Sequence, residues 1–303
     1  MPAEIADEGT FRVRIEDGRH VDLLGTYVLN QLYITAILVL VVLGLAVVFG
    51  WLGVMNMAHG EFVMLGAYCA YMVQEAGWHP LLSLPLAVVV TGTVGLAVEG
   101  SIIRHLYRRP FDTFLATWGL ALLLREGVEV IFGRGYKSVD QVLPGTVDVL
   151  GIPYPAYRLV LFSAVVLAFV GLFLFYRAST LGARIKAMVT NPVLAEAVGI
   201  NTTRLAQWTF VFGVSTAGLA GALLAPLVRV EPFMGLDYLL SSFFVLIVGG
   251  LGTLEGLLIG SAVIGGVDTV ASAILDKSAG YIAVLTVSIF FLWLRPHGLY
   301  SRR

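Results

Sequence analysis

The sequence is poor in the residues that build most sites in water. Only 13% of its 303 residues are charged, and cysteine occurs once, at Cys69 inside an apolar run. One cysteine and five scattered histidines give neither an internal disulfide framework nor a Cys/His metal cluster. A formal net charge of -1 provides no basic surface, which argues against nucleic acid as a partner. No Gly-x-x-x-x-Gly-Lys-Ser/Thr segment is present to cradle nucleotide phosphates. The first 26 residues are polar and the first apolar run is too long for a signal-peptide core, so no cleavable signal is expected.

What is abundant is apolar surface. Hydrophobic residues make up 58% of the chain and mean hydropathy is +0.89, which excludes a water-soluble globule. The charge is unevenly placed: residues 1-26 hold six acids (Glu4, Asp7, Glu8, Glu16, Asp17, Asp22) and three arginines. At ~20 apolar residues per crossing, the remainder has room for about eight or nine spans. Apolar runs lie near 27-50, 60-75, 81-103, 113-133, 158-176, 205-229, 237-249, 257-275 and 281-294, with 60-75 and 237-249 short. Continuous runs without polar alternation mean helices rather than a barrel. The expectation is an all-α polytopic membrane protein: a bundle of about eight to nine transmembrane helices with broken or re-entrant segments over 27-301, preceded by a short polar arm at 1-26.

Lys and Arg in short loops set the orientation. Arg104, Arg108 and Arg109, then Arg177, Arg184, Lys186 and Arg204, belong in the cytoplasm, as do Arg295, Arg302 and Arg303. The 134-157 loop, with Pro144, Gly145, Gly151, Pro153 and Pro155, then lies outside as a surface loop. The arm falls outside if 27-50 and 60-75 both cross, and inside if one is re-entrant.

Two places interrupt the apolar rhythm with glycines and polar residues, at Gly50 to Tyr68 and at Gly249 to Ser261. Paired glycine-interrupted segments in the two halves are the pattern of an inverted-repeat transporter, with broken helices meeting near the midplane. Close helix packing also explains glycines. It does not explain Asn56, His59 and Glu61 in the first segment or Glu255 in the second, because polar side chains at membrane depth need a cavity or a partner. Asn56, His59, Glu61, Gly252, Thr253 and Glu255 are the candidate pathway residues. Arg125 and Glu129 are spaced to pair along one helix face, and Glu99 lies where it would meet Arg104.

The loop at 178-203 is the most informative stretch. Residues 181-189 form one short helix carrying Arg184 and Lys186. Asn191 is then an N-cap, Pro192 suits the first helical position, and Gly199 suits the left-handed stop. The product is a rigid two-turn knob with an apolar stripe of Val193, Leu194, Ala197 and Val198. It suits a soluble partner's docking cleft, with an interfacial helix on lipid as the alternative.

These residues carry a resemblance. Asn56-Met57-Ala58-His59-Gly60 with Gly66-Ala67-Tyr68, the run from Arg184 to Thr202, Gly249-Gly250-Leu251-Gly252-Thr253, and the ending Arg295-Pro296-His297-Gly298-Leu299-Tyr300 resemble the permease subunits of bacterial ABC importers for branched-chain amino acids and for urea and short-chain amides. The resemblance covers roughly residues 27-301 and leaves the arm without a role. It implies a bacterial inner-membrane subunit that is not an enzyme and binds no cofactor. Its implied partners are a second related permease, two ATP-binding-cassette ATPases that use the ATP, and an extracytoplasmic substrate-binding protein. Arg184, Lys186, Asn191, Pro192, Glu196, Gly199 and Asn201 would couple to an ATPase. Branched-chain amino acids are the preferred cargo because that branch is broader, with urea or short amides as the alternative. A channel or secondary carrier would not need the knob, and an intramembrane enzyme would want a second His spaced to His59, which is absent.

Overall fold

A computed structural model describes residues 17–299 except 108, 251, 252, 296 and 297. Gly252, the first sixteen residues of the arm and much of the C-terminal motif therefore lie outside the described residues. Within them the chain forms eleven α-helices: α1 Asp17–Leu52, α2 His59–Glu75, α3 Ser83–Ser101, α4 Pro110–Phe132, α5 Ala156–Ala178, α6 Thr180–Thr190, α7 Pro192–Ala197, α8 Thr202–Leu224, α9 Met234–Gly249, α10 Leu254–Ile274 and α11 Lys277–Leu294. Each of the nine apolar runs is a helix. Five segments, Gly25–Leu52, Pro80–His105, Ala156–Ala178, Thr202–Leu227 and Leu254–Ile274, are long and apolar enough to cross a membrane, whereas α9 and the apolar part of α11 are shorter. Helix α1 has 36 residues, about 54 Å at 1.5 Å per residue, and runs without a break through the expected boundary between arm and bundle.

One expectation needs correction. The 134-157 stretch, expected only as a surface loop, contains two short strands: β1 Thr146–Val149 and β2 Ile152–Pro155 form an antiparallel hairpin. Its two-residue turn places Leu150 at φ 55° and Gly151 at φ 89°, the doubly left-handed geometry that suits strand twist. Tyr154 Oη donates to the Leu29 carbonyl at 3.2 Å, and Arg158 donates to Asn30 Oδ1 at 3.1 Å. The hairpin and the start of α5 thus hold α1 at residues 29 and 30, so that stretch of α1 shares an end of the bundle with the 134-157 loop. At the opposite end, residues 49–53 adjoin Arg104, His105 and the α6–α7 region.

Lipid tails are as apolar as leucine, so close packing rather than burial from water joins the helices. Glycines supply it. Helices α1 and α8 cross where a Cβ on Gly44 would strike the Gly213 carbonyl. Helices α2 and α3 lean on α8, through Gly66 and Gly221 and through Thr91 against Gly218, while α9 and α10 lean on α1. The first residues of α2 and α9 abut, because a Cβ on Gly60 would collide with the Gly235 carbonyl. The chain enters α2 from one end of the bundle and α9 from the other. Helix α4 is set apart: its main neighbour is α2, and its inward stripe is Thr113, Thr117, Leu120, Ala121, Arg125 and Val128.

Candidate functional site

Helix α1 stops at Leu52 because Gly53 turns the chain into the left-handed region, at φ 67°. The next residues fold back into the bundle. His59 Nε2 lies 2.8 Å from the Val41 carbonyl, eleven residues, or ~16 Å, back along α1 from its end. Asn56 Oδ1 accepts from Ala58 N at 3.1 Å, a local turn that starts α2. Thr117 of α4 holds the same segment: Oγ1 accepts from Met57 N at 3.1 Å and lies 3.1 Å from the Met55 carbonyl. Asn56 and His59 are fully buried, and Glu61 nearly so.

Glu61 forms a buried ion pair through Oε1 with Arg125 Nη2 of α4, and the Arg125 guanidinium lies 5.4 Å from the ring centre of Phe233. This corrects the expected pairing of Arg125 with Glu129. Arg125 sits on the inward stripe of α4 and meets the buried carboxylate of α2, while Glu129 pairs instead with Arg134 just past the helix end. Four polar atoms here have no protein hydrogen-bond partner: Asn56 Nδ2, His59 Nδ1, Glu61 Oε2 and Arg125 Nε. Buried polar groups are normally satisfied, so this cluster is unfinished as a purely structural element.

The second glycine cluster is built differently. A Cβ on Gly249 would strike the Gly256 carbonyl, and one on Gly260 the Val245 carbonyl, so α9 and α10 form a tight hairpin. Thr253 caps α10, accepting from Gly256 N at 3.0 Å. The chain's tail closes on the same turn, with Leu299 N donating to the Val248 carbonyl at 2.9 Å and Gly298 against Gly250. Two motifs of the sequence thus meet. Glu255 is 27% exposed and pairs with Arg177 at 3.4 Å, beside a cavity of about 170 Å³ lined by Trp51, Tyr176 and Lys186. Thr253 and Glu255 do not join Asn56, His59 and Glu61.

The knob has the expected construction. Asn191 Oδ1 accepts from Leu194 N at 3.0 Å, Pro192 opens α7, and Gly199 follows it at φ 85°. Ala195 packs inward, leaving Val193, Leu194 and Val198 exposed at 73%, 61% and 69%. Glu196 accepts from the Thr202 hydroxyl, and Asn201 caps α8 by accepting from Arg204 N at 2.9 Å. Arg184 is exposed, whereas Lys186 folds back over the Tyr176 ring. Beneath the knob lies a cavity of about 790 Å³ that Phe49, Gly53, Arg104, Arg109, Pro192 and Glu196 help to line. Glu99 pairs with Arg104 at 3.3 Å as expected. It also accepts from Tyr107 Oη at 3.2 Å, and burial together with this carboxylate pushes the Tyr107 hydroxyl above its ordinary pKa.

Residues 27–294 match the family described as the permease component of branched-chain amino acid transport systems. The chain belongs to that family. Among its relatives, the high-affinity branched-chain amino acid transport permease LivH of Escherichia coli K12 is 27% identical, with 87% of this chain and 91% of the relative covered. The corresponding permease BraD of Pseudomonas aeruginosa is 25% identical, with 90% and 94% covered. The fold is similar to that of PsaBC from Streptococcus pneumoniae, solved with a Fab, at a TM-score of 0.52 and 10% identity over 94% of this permease and 98% of that chain. This permease is therefore a multi-pass membrane transport subunit rather than an enzyme. Sequence reasoning missed Thr117 and Phe233 and misassigned Arg125. The four-residue spacing of Thr113, Thr117, Ala121 and Arg125 was the available signal for one polar helix face.

Proposed function

We propose that this permease is the membrane-spanning subunit of an ATP-binding-cassette importer that carries branched-chain amino acids across the cytoplasmic membrane. The observation that carries the proposal is the knob, a two-turn helix fixed at both ends that presents Val193, Leu194 and Val198 outward. In this reading the knob seats in a cleft of one of two ATPase subunits, with Glu196 and Gly199 at its turn and Arg184, Lys186, Asn191, Pro192 and Asn201 shaping its base. ATP is used on those subunits. A second related permease completes the pore, and a substrate-binding protein delivers cargo from the far side.

The end carrying Arg104, Arg109, Arg177, Arg184, Lys186 and Arg204 faces the cytoplasm by the positive-inside rule, and the hairpin faces outward. We read α1–α4 and α8–α11 as an inverted repeat. Its support is that α2 and α9 start against each other from opposite ends, with α2 and α3 on α8 matched by α9 and α10 on α1. The counterpart of the 53–58 break is then the link at 225–233 rather than the connection between α9 and α10. The route runs past Asn56, His59 and Glu61, with Thr253 and Glu255 at its inner mouth.

Reconstitution in liposomes with and without the candidate ATPases and binding protein tests this proposal. ATP-dependent leucine uptake is the expected result, and flux through this chain alone that ignores ATP would sink it. Glu196→Ala combined with Gly199→Pro, which forbids the positive φ at the stop, is expected to abolish coupling while the bundle still inserts. Cysteine labelling checks the orientation: Ser138→Cys should react from outside and Thr190→Cys only from the cytoplasm.

A further inference from the structure

We propose that Glu61 and Arg125 form a station for a zwitterionic amino acid, Arg125 taking the α-carboxylate and Glu61 the α-ammonium as the solute inserts between them. The inference rests on the transport reading above and adds how the solute is held. The resident pair uses one oxygen of Glu61 and one nitrogen of Arg125, leaving Glu61 Oε2 and Arg125 Nε without protein partners. What remains unused is an acceptor suited to an ammonium, Glu61 Oε2 on the side facing Gly235, and a donor suited to a carboxylate, Arg125 Nε. Glu61 is 2% exposed and Arg125 8%, so each bare charge would be costly at this depth. A zwitterion replaces the internal pair with two external ones, so neither buried charge is left uncompensated once it is bound. A guanidinium with a free edge also suits paired hydrogen bonds to a carboxylate.

The surroundings fit the same ligand. Asn56 Nδ2 and His59 Nδ1, on the turn that opens α2, are further buried polar atoms without protein partners. Phe233, 47% exposed, stands over Arg125 as an apolar wall for a branched side chain. On one side the station is locked, because the backbones of Gly60 and Gly235 are in contact. On the other side it is not. Helix α4, which carries Arg125 on its inward stripe, has α2 as its main packing neighbour. Withdrawal of α4 is therefore the motion that opens the pair to the solute.

The test uses the complete complex of permeases, ATPases and binding protein in liposomes, with labelled leucine as the probe. Glu61→Gln combined with Arg125→Met removes both charges together, so no unpaired charge is buried. Leucine taken up per ATP hydrolysed is expected to fall about ten-fold or more, the size of losing a charge-assisted contact. Uptake per ATP within about two-fold of the unsubstituted complex would mean a structural ion pair, because replacing such a pair by neutral residues of similar volume is often harmless. If the double variant does not assemble, Glu61→Asp takes its place. It keeps both charges but shortens the reach, and the same two outcomes decide. The transport reading is judged separately, on the unsubstituted complex, where absent leucine uptake removes it.

Discussion

The two glycine-rich interruptions, at 50–68 and 249–261, are alike in composition and opposite in construction. The first folds back beside α1 and buries Asn56, His59 and Glu61. The second is a hairpin turn that brings two helix backbones together and leaves its carboxylate, Glu255, partly in the open. Glycine marks close approach in both. From Gly50 to Tyr68 the buried atoms without protein partners are Asn56 Nδ2, His59 Nδ1, Glu61 Oε2 and Tyr68 Oη, whereas from Gly249 to Ser261 the one such atom among the described residues is Ser261 Oγ. That difference in number and charge separates the two breaks.

The largest expected effect tests this contrast directly. Glu61→Gln alone leaves the Arg125 charge buried and unpaired, at a cost of about 3–5 kcal/mol; thermal unfolding in detergent should show a large drop or loss of the folded peak. A small change there would put the first break in the same class as the second. Next, Gly60→Val forces a side chain onto the Gly235 carbonyl, and overpacking of this kind costs about 1–3 kcal/mol or more. Gly249→Val should behave alike, since both breaks depend on backbone contact, and a difference between the two in folded yield would sharpen the comparison in an unforeseen direction.

Smaller effects follow. Thr117→Val keeps the shape of α4 but strips the hydroxyl that ties Met55 and Met57 to it, at about 1–2 kcal/mol. Faster hydrogen exchange should be confined to the 53–58 segment. The smallest change is expected for Glu255→Gln, because a pair in which Arg177 is 58% exposed contributes no more than about 1 kcal/mol. An unfolding shift as large as that of Glu61→Gln would overturn the assignment of Glu255 to a half-open surface.

Much of the fold was legible because its signals are local. Long apolar runs give helices, and Asn191, Pro192 and Gly199 state a cap, a start and a stop without reference to anything distant. The site was less legible because its decisive contacts join residues far apart in sequence. Glu61 meets Arg125 across 64 positions, and nothing in either neighbourhood names the other. Arg125 had a plausible local partner in Glu129, and a buried carboxylate on another helix outweighed it. The hairpin at 146–155 was hidden among prolines and glycines that equally describe an irregular loop. Its strands have four residues each, too short for alternation to stand out.

The exposed stripe of α7 has a consequence for supply rather than for transport. Val193 and Leu194 stand on a helix of six residues and Val198 directly follows it, a piece too short to fold over and hide its own apolar side. If the knob seats in an ATPase as proposed, a copy made in excess of that subunit would carry an adhesive patch into water, a feature that invites aggregation or degradation. Steady-state abundance of the permease should therefore follow the amount of ATPase made beside it. The cell would need no separate regulator to keep the two in proportion.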